Sequence, residues 1–469
     1  MILGNILSRF YLGLQNNISS KFLPFTSNLS ALYIRKLSVN ANMYFKTVRL
    51  LIEIPLLVNV SLIFLVDIWL LIMSNINFNM FSMSILSVIL FYLRFLFFNV
   101  MIFLGDFMSI GIICEYNPFH NGHVYMIEKL RKMYPLATIV CVMSGNFVQR
   151  GEVSIISEKC KCDMALYYAD LVIELPFVFC ISSADIFAYG ATSILNKLGV
   201  DYLAFGSDTD DINLFYDLIN LNDNYDLMVK KYLSLGFNYP TSMSKALFDL
   251  KGVYINKPND LLALSYMKNL GNLKPISIKR SGDYNSISLE GKFTSARSIR
   301  CALKEGEDIS SYVPLNTLNN LNNLHFNDDY FDLLKYRIIS EDISIYQGVD
   351  EGIEGRVKKV IYDALNFDDL VLKIKSKRYT YNRIQRMLIC ILCGHTKDEA
   401  LMCRDISYIR VLGFNDKGRS FIKCARSLCD VPIITGFDKR FKALEIEKRA
   451  FDIYNMKKTS DDFYKPVIH

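Results

Sequence analysis

"SIGIICEYNPFHNGH", Ser109 to His123, runs from an apolar stretch through a turn to two histidines three residues apart. The run Ile110 to Cys114 is continuous rather than alternating in polarity, which reads as a strand buried on both faces, the habit of a parallel sheet. Asn117 and Pro118 turn the chain, and Gly122 lets the backbone begin a helix close to the strand end. Such a helix mouth presents unpaired N–H groups and the positive end of a dipole, so it suits phosphate. Imidazoles at i and i+3 there can donate hydrogen bonds to phosphate oxygens as charge builds at the α-phosphorus. The plainer alternative has His120 capping the turn and His123 packing. A zinc pair is weaker still, because the rest of the sequence suggests no completing ligands.

Outward from this stretch the chain keeps one rhythm. Apolar runs at 110–114, 138–143, 171–175, 202–206 and 275–279 alternate with helix patterns at 122–133, 158–168, 184–198 and 259–270. Strand and helix in alternation predict an α/β fold, a doubly wound parallel sheet with right-handed crossovers whose ligands bind beyond the carboxyl ends of the strands. After about residue 311 the patterns become mostly helical, and the Asn-rich run at 316–324 is the best boundary. The division expected is an apolar extension over 1–107, a nucleotide-binding domain over 108–312 and a mostly α-helical domain over 313–469.

A net charge of +6 and a pI near 8.6 permit an anionic partner without requiring one. Eleven cysteines without framework spacing favour a reducing, cytoplasmic setting. Cys390 and Cys393 have C-x-x-C spacing inside an apolar helical run and read as core packing. Residues 48–73 and 80–105 are long enough to cross a bilayer, but Glu53, Asp67 and Arg94 interrupt them. Membrane association through residues 48–105 is therefore the less favoured reading. The favoured one takes Met108, just before the first strand, as the natural start.

H-N-G-H after the first strand resembles the HxGH signature of the nucleotidyltransferase superfamily, and "TSARSIR" (294–300) resembles its second, Ser/Thr-rich signature, with Arg297 where a Thr is usual. "EYNPFHNGH", "VMSGNFVQRGE", "ADLVIELP" and "FGSD", together with "RIQRMLICILCG" and "YIRVLGFNDKGR", are similar to the tRNA(Met) cytidine acetate ligase family from about Met108 to near the end. The resemblance implies that ATP and acetate form acetyl-adenylate, with Mg²⁺ assisting. The acetyl group then passes to the 4-amino group of the wobble cytidine of elongator tRNA(Met).

By the same resemblance the ATP segment is Cys114, Glu115, Tyr116, Asn117, Pro118, Phe119, His120, Asn121, Gly122, His123, Val124, Tyr125, Met126 and Ile127, with His120 and His123 as the transition-state contacts. Gly206 is a close approach for adenosine or a turn glycine, Asn259 an ATP contact or a helix N-cap, and Arg280 a phosphate contact or a solvated arginine. Ser295 is expected to cap its helix, with Arg300 in reach of phosphate. Gln149, Arg150 and Glu152 could hold acetate or the cytosine edge. Asp163 and Asp170 read as helix-surface charges, and no general base is obvious.

For the RNA, Lys377, Arg378, Arg383 and Arg386 interleave with Tyr379 and Tyr381, cations for phosphates and rings for bases, and Arg404, Arg410, Lys417 and Arg419 extend the surface. Two other readings stand beside this one. One is an adenylyltransferase acting on a small phosphorylated metabolite. The other is a membrane-tethered RNA-binding protein with a vestigial nucleotide site.

Overall fold

The computed structural model describes residues 108–469 apart from 221, 256, 281–288, 290–293, 377–378 and 458–462. The apolar stretches at 48–105 lie outside the described residues, and among those no helix is long and apolar enough to cross a membrane. All five expected strands form: β1 (Ser109–Cys114), β2 (Thr138–Ser144), β5 (Leu171–Leu175), β6 (Tyr202–Ser207) and β7 (Lys274–Lys279). Between β2 and β5 lies a short antiparallel hairpin, β3 (Phe147–Val148) and β4 (Glu152–Val153). The five long strands are mutually parallel in the order β5-β2-β1-β6-β7. Strand order therefore reverses between β1 and β6, and the loops leaving them part to form the crevice in which such sheets bind ligands.

Helix α1 (Asn121–Met133) and α2 (Glu158–Leu166) pack Ile127, Leu130, Met164 and Ala165 against Ile110 and Ile112. The other face receives α3 (Ala184–Lys197) and α4 (Pro258–Lys268). Gly111 is why α3 sits so close, because a Cβ there would lie 2.5 Å from Leu195 Cδ1. Helix α5 (Ala296–Glu305) follows β7. Beyond it come α6 (Phe331–Ser340), α7 (Phe367–Ile374), α8 (Tyr381–Cys393) and α9 (Lys442–Asn455). Cys390 and Cys393 are buried in the core of α8, as their apolar setting suggested.

The helical stretch also returns to the sheet. β8 (Ile409–Phe414) pairs antiparallel with β5 and carries β9 (Ile433–Ile434) and β10 (Val467–Ile468) as parallel neighbours. This overturns the reading of Arg410 as part of an RNA surface, because it is only 2% exposed. Its Nε donates to Glu174 Oε1 at 2.8 Å and its Nη2 to Glu158 Oε2 at 2.7 Å. Glu447 of α9 completes the group, its Oε2 accepting from Phe177 N at 2.5 Å. Three buried carboxylates thus cluster at one guanidinium, two of them paired with it directly. Burial raises Glu174 to about 7 and pushes Glu447 well above the carboxylate range.

Asp170 needs a similar correction. It is buried rather than on a helix surface, and it accepts from Ile139 N at 2.8 Å, Arg131 Nη2 at 2.7 Å and Asn415 Nδ2 at 3.0 Å. Asp163 does stay on α2, where it meets His469 Nε2 at 2.8 Å.

Candidate active site

The site is assembled from loops at the carboxyl edge of β1, β2, β6 and β7. His120 is the N-cap of α1. Its Nδ1 accepts from Gly122 N at 3.0 Å, while His123 Nδ1 accepts from His120 N at 3.2 Å. The two rings stack with centroids 3.7 Å apart. Both halves of the plainer alternative, capping and packing, are therefore present, and they decide the chemistry. Burial, then Arg280 and Arg300, hold His120 down to about 3, and burial with His120 and Arg280 holds His123 well below the usual histidine value. A neutral imidazole whose Nδ1 accepts must carry its proton on Nε2, so each ring is a fixed Nε2–H donor.

This has a measurable consequence. Below about pH 6.5 the unfolded chain takes up a proton at each histidine that the folded chain refuses, so stability is complete above that pH and falls as pH drops toward 3. His120→Asn keeps an N-cap acceptor without a titrating ring. Urea melts between pH 7.5 and 4.5 should show a shallower acid loss in the variant; an identical slope would mean that His120 is protonated in the folded protein.

The other expected residues gather around this pair. Arg280 follows β7, and its Nη1 donates to Asn259 Oδ1 at 3.2 Å; Asn259 Nδ2 in turn donates to Asp208 Oδ2 at 3.2 Å. Asn259 is not an N-cap, for Lys257 holds that position. Gly206 stays in β6 rather than turning, and its missing Cβ, which would lie 3.1 Å from Arg280 Cγ, gives room for the arginine stem. Ser295 caps α5 by accepting from Ser298 N at 3.1 Å. Arg300, further along α5, donates to Asn117 O at 2.9 Å and pairs with Glu152 Oε2 at 2.6 Å, so it also braces the HNGH loop. Cys114, Tyr116, Pro118, Phe119 and Ile127 are largely buried beneath the loop, with Tyr116 and Phe119 edge-on at 4.7 Å. Asn121 Nδ2 reaches Ser311 O at 3.0 Å. Val124, Tyr125 and Met126 continue α1 outward.

Two supporting residues escaped the sequence reading. Lys161, fully buried, donates through Nζ to Ser144 O at 2.8 Å, Gly145 O at 2.6 Å and Glu115 O at 3.1 Å, pinning the ends of β1 and β2 together. Asp260 accepts from Ser207 Oγ at 2.7 Å, Asp208 N at 2.9 Å and Thr209 Oγ1 at 2.6 Å, which fixes the loop after β6. Lys161 stands in "EKCKCD" and Asp260 in the first turn of a helix, contexts in which charges are ordinarily solvated.

The RNA set is divided by the structure. Lys377 and Arg378 lie outside the described residues. Tyr379 is buried, its hydroxyl on Asp350 O at 2.6 Å, so its ring is not available to stack on bases; Arg383 lies over that ring at 4.2 Å instead. Tyr381 binds Asp368 Oδ1 at 2.7 Å. Arg386 turns toward the β3–β4 hairpin, where its Nη1 meets Gln149 O at 3.4 Å, and burial lowers it to about 10. Gly151 makes this approach feasible, since a Cβ there would fall 2.2 Å from Arg386 N. Lys417 donates to Leu136 O and Ala137 O, at the opposite end of β2 from the site, while Arg404 and Arg419 are exposed.

The first amides of α1 are not left open for phosphate as expected, since Asn121 N donates to Tyr312 O at 3.0 Å, Gly122 N to His120 Nδ1 at 3.0 Å and His123 N to His120 O at 2.8 Å. A parallel sheet with paired histidines and two arginines at its switch point is nonetheless the layout of a nucleotidyltransferase, and the family model described as HIGH Nucleotidyl Transferase matches residues 108–465. Within that class, a tRNA(Met) cytidine acetate ligase of Oceanobacillus iheyensis is 37% identical over 74% of this chain and 94% of its own length. One of Clostridium acetobutylicum is 36% identical over 76% and 98%. The chain belongs to the tRNA(Met) cytidine acetate ligase family. Among solved structures, Thermotoga maritima TmcAL in its apo form superposes with a TM-score of 0.71 at 27% identity, over 77% of this chain and 99% of that one. The same protein bound with alpha-thio ATP gives 0.68 at 26%.

Proposed function

We propose that this chain is an ATP-dependent ligase that converts acetate into acetyl-adenylate and acetylates the 4-amino group of the wobble cytidine of elongator tRNA(Met). The observation that carries the reading is the pair of neutral histidines fixed as Nε2–H donors at the mouth of α1, beside Arg280 and Arg300. Acetate is a poor electrophile and the cytosine amine a poor nucleophile, so the carboxylate has to be activated first. The attacking acetate oxygen needs no base, and catalysis of that step is alignment and stabilisation of charge on the α-phosphate. Residues 114–127 cradle ATP, with Gly206, Asn259, Arg280, Ser295 and Arg300 around them. Where Mg²⁺ is bound with ATP it would neutralise phosphate charge, and Asp208, whose Oδ2 accepts from Asn259 Nδ2 at 3.2 Å, is a carboxylate of this edge that would hold it. Residues 108–312 carry the nucleotide chemistry, 313–469 receive the RNA, and 1–107 are dispensable. ATP, acetate and tRNA meet in the cytoplasm, where the reaction is placed.

The test uses the chain trimmed to Met108–His469: acetate-dependent exchange of labelled pyrophosphate into ATP, then transfer of labelled acetate to elongator tRNA(Met). Exchange with transfer to the wobble cytidine is expected. Exchange only with another acid or a phosphorylated acceptor would leave the HNGH chemistry and remove the acetate reading; activity in the full chain alone would make residues 1–107 part of the enzyme.

On the RNA side, replacing Arg383 and Arg386 together by Gln should weaken tRNA binding and flatten its salt dependence, the log–log slope falling by about 1 for each phosphate no longer neutralised. Binding measured across a salt series decides this, and an unchanged slope would place the RNA elsewhere.

A further inference from the structure

We propose that Glu115 is the general base of the transfer step, the group that accepts the proton leaving the 4-amino nitrogen of the acceptor cytosine. The inference rests on the ligase reading above. In that step the amine nitrogen attacks the carbonyl carbon of acetyl-adenylate, a C–N bond forms, the C–O bond to phosphate breaks and AMP leaves with the electron pair. One N–H proton has to go. The receiver must lie between the nucleotide loop and the RNA-bearing helix, and it must not already be neutralised by a cation or used up in hydrogen bonds.

The neighbouring candidates fail on one count or the other. His120, held down to about 3, is too weak a base, and His123 is depressed in the same way. Glu152 is paired with Arg300 at 2.6 Å. Asp260 takes its hydrogen bonds from the loop after β6, and Glu158, Glu174 and Glu447 are sealed around Arg410.

Glu115 comes nearest to the conditions: Arg150 and Lys161 act on its charge, but its carboxylate forms no direct ion pair among the described residues and takes a single hydrogen bond, from Gln149 N. It follows β1 directly and stands five positions before His120. Cys114 and Tyr116 bury their side chains in the core beneath α1, whereas Glu115 reaches the hairpin after β2, its Oε1 accepting from Gln149 N at 2.6 Å. Gln149 also offers its carbonyl to Arg386 Nη1 at 3.4 Å. A single residue therefore separates the carboxylate from α8, the helix assigned to the RNA. Burial raises Glu115 above its ordinary value, while the Gln149 N–H, Arg150 and Lys161 pull it down and Glu152 adds a like charge. On the far side its charge is felt by Cys180 and Tyr266. A carboxylate made more basic in this way is better matched to a proton transfer near neutral pH. It also reads the base, because a carboxylate accepts from cytosine N4–H and meets only a bare acceptor in uracil O4.

The test compares the wild-type chain with Glu115→Gln and Glu115→Asp, measuring acetate-dependent exchange, transfer to elongator tRNA(Met), and single-turnover transfer from preformed acetyl-adenylate across pH. Gln keeps an oxygen for Gln149 N–H, so thermal melts should show the fold intact. The expected result is a single-turnover transfer rate at saturating acetyl-adenylate lowered by about a hundredfold or more in Glu115→Gln, beyond whatever exchange loses through the place of Glu115 in the ATP segment, with the acid limb of the transfer profile abolished there and partly kept in Glu115→Asp. An unchanged single-turnover rate, or an acid limb that persists in Glu115→Gln, would overturn the assignment. A wild type that exchanges but never transfers would instead sink the ligase reading, and the role of Glu115 with it.

Discussion

His120→Ala and His123→Ala are each expected to lower acetate-dependent ATP–pyrophosphate exchange by about a hundredfold or more, the usual cost of losing a preorganised donor to developing charge. The reason lies in tautomers rather than positive charge. Both rings are neutral, each has its Nδ1 occupied by a backbone N–H, and each therefore carries its proton on Nε2, a donor whose tautomer is set before the reaction. The two losses should not add. The rings stack at 3.7 Å, so removing either side chain takes away the face against which the other is packed, although the backbone N–H on each Nδ1 remains. A double variant close to the worse single one is the expected outcome. Near-normal exchange in either single variant would remove that histidine from the mechanism, and strictly additive losses would mean that the rings act independently.

Arg410→Ala is expected to destabilise the fold by about 3–5 kcal/mol, because it strands buried carboxylates without the guanidinium they share. The loss should depend on pH in a definite direction. Without Arg410, Glu174 and Glu447 hold protons more tightly when folded than when unfolded, so what stability remains is greatest at low pH and is lost as pH rises above the ordinary carboxylate range. Denaturant melts at pH 5 and pH 8 check both points: a small change at pH 8, or a variant relatively weaker at pH 5, would contradict the charge count. Any effect of this substitution on tRNA binding should follow the loss of fold rather than the salt slope, which separates Arg410 from Arg383 and Arg386.

Five parallel strands, their intervening helices and the place of the HNGH loop are legible in the amino-acid order alone. Those signals are local: continuous apolar runs, helical periodicity and a turn made by Asn117, Pro118 and Gly122, each written in consecutive residues. The placement of His120, His123, Ser295 and Arg300 at one edge is legible too, because the first three stand at the starts of helices and Arg300 about one turn into its helix. Where the charges of the later chain go is settled by folding. "YIRVLGF" has an arginine inside an apolar run, and nothing nearby in sequence says whether that arginine faces water. It is buried because Glu158 and Glu174, some 240 residues earlier, wait across the β5–β8 pairing. In the same way Tyr379 looks ready to stack on a base until folding encloses it, and Glu115 looks like one more residue of the nucleotide loop until Gln149 comes to rest on its carboxylate and Arg386 on the Gln149 carbonyl. A charge or a ring carries the same letter whether buried or solvated, and it takes the long-range pairing of the chain to supply the partners that decide between the two.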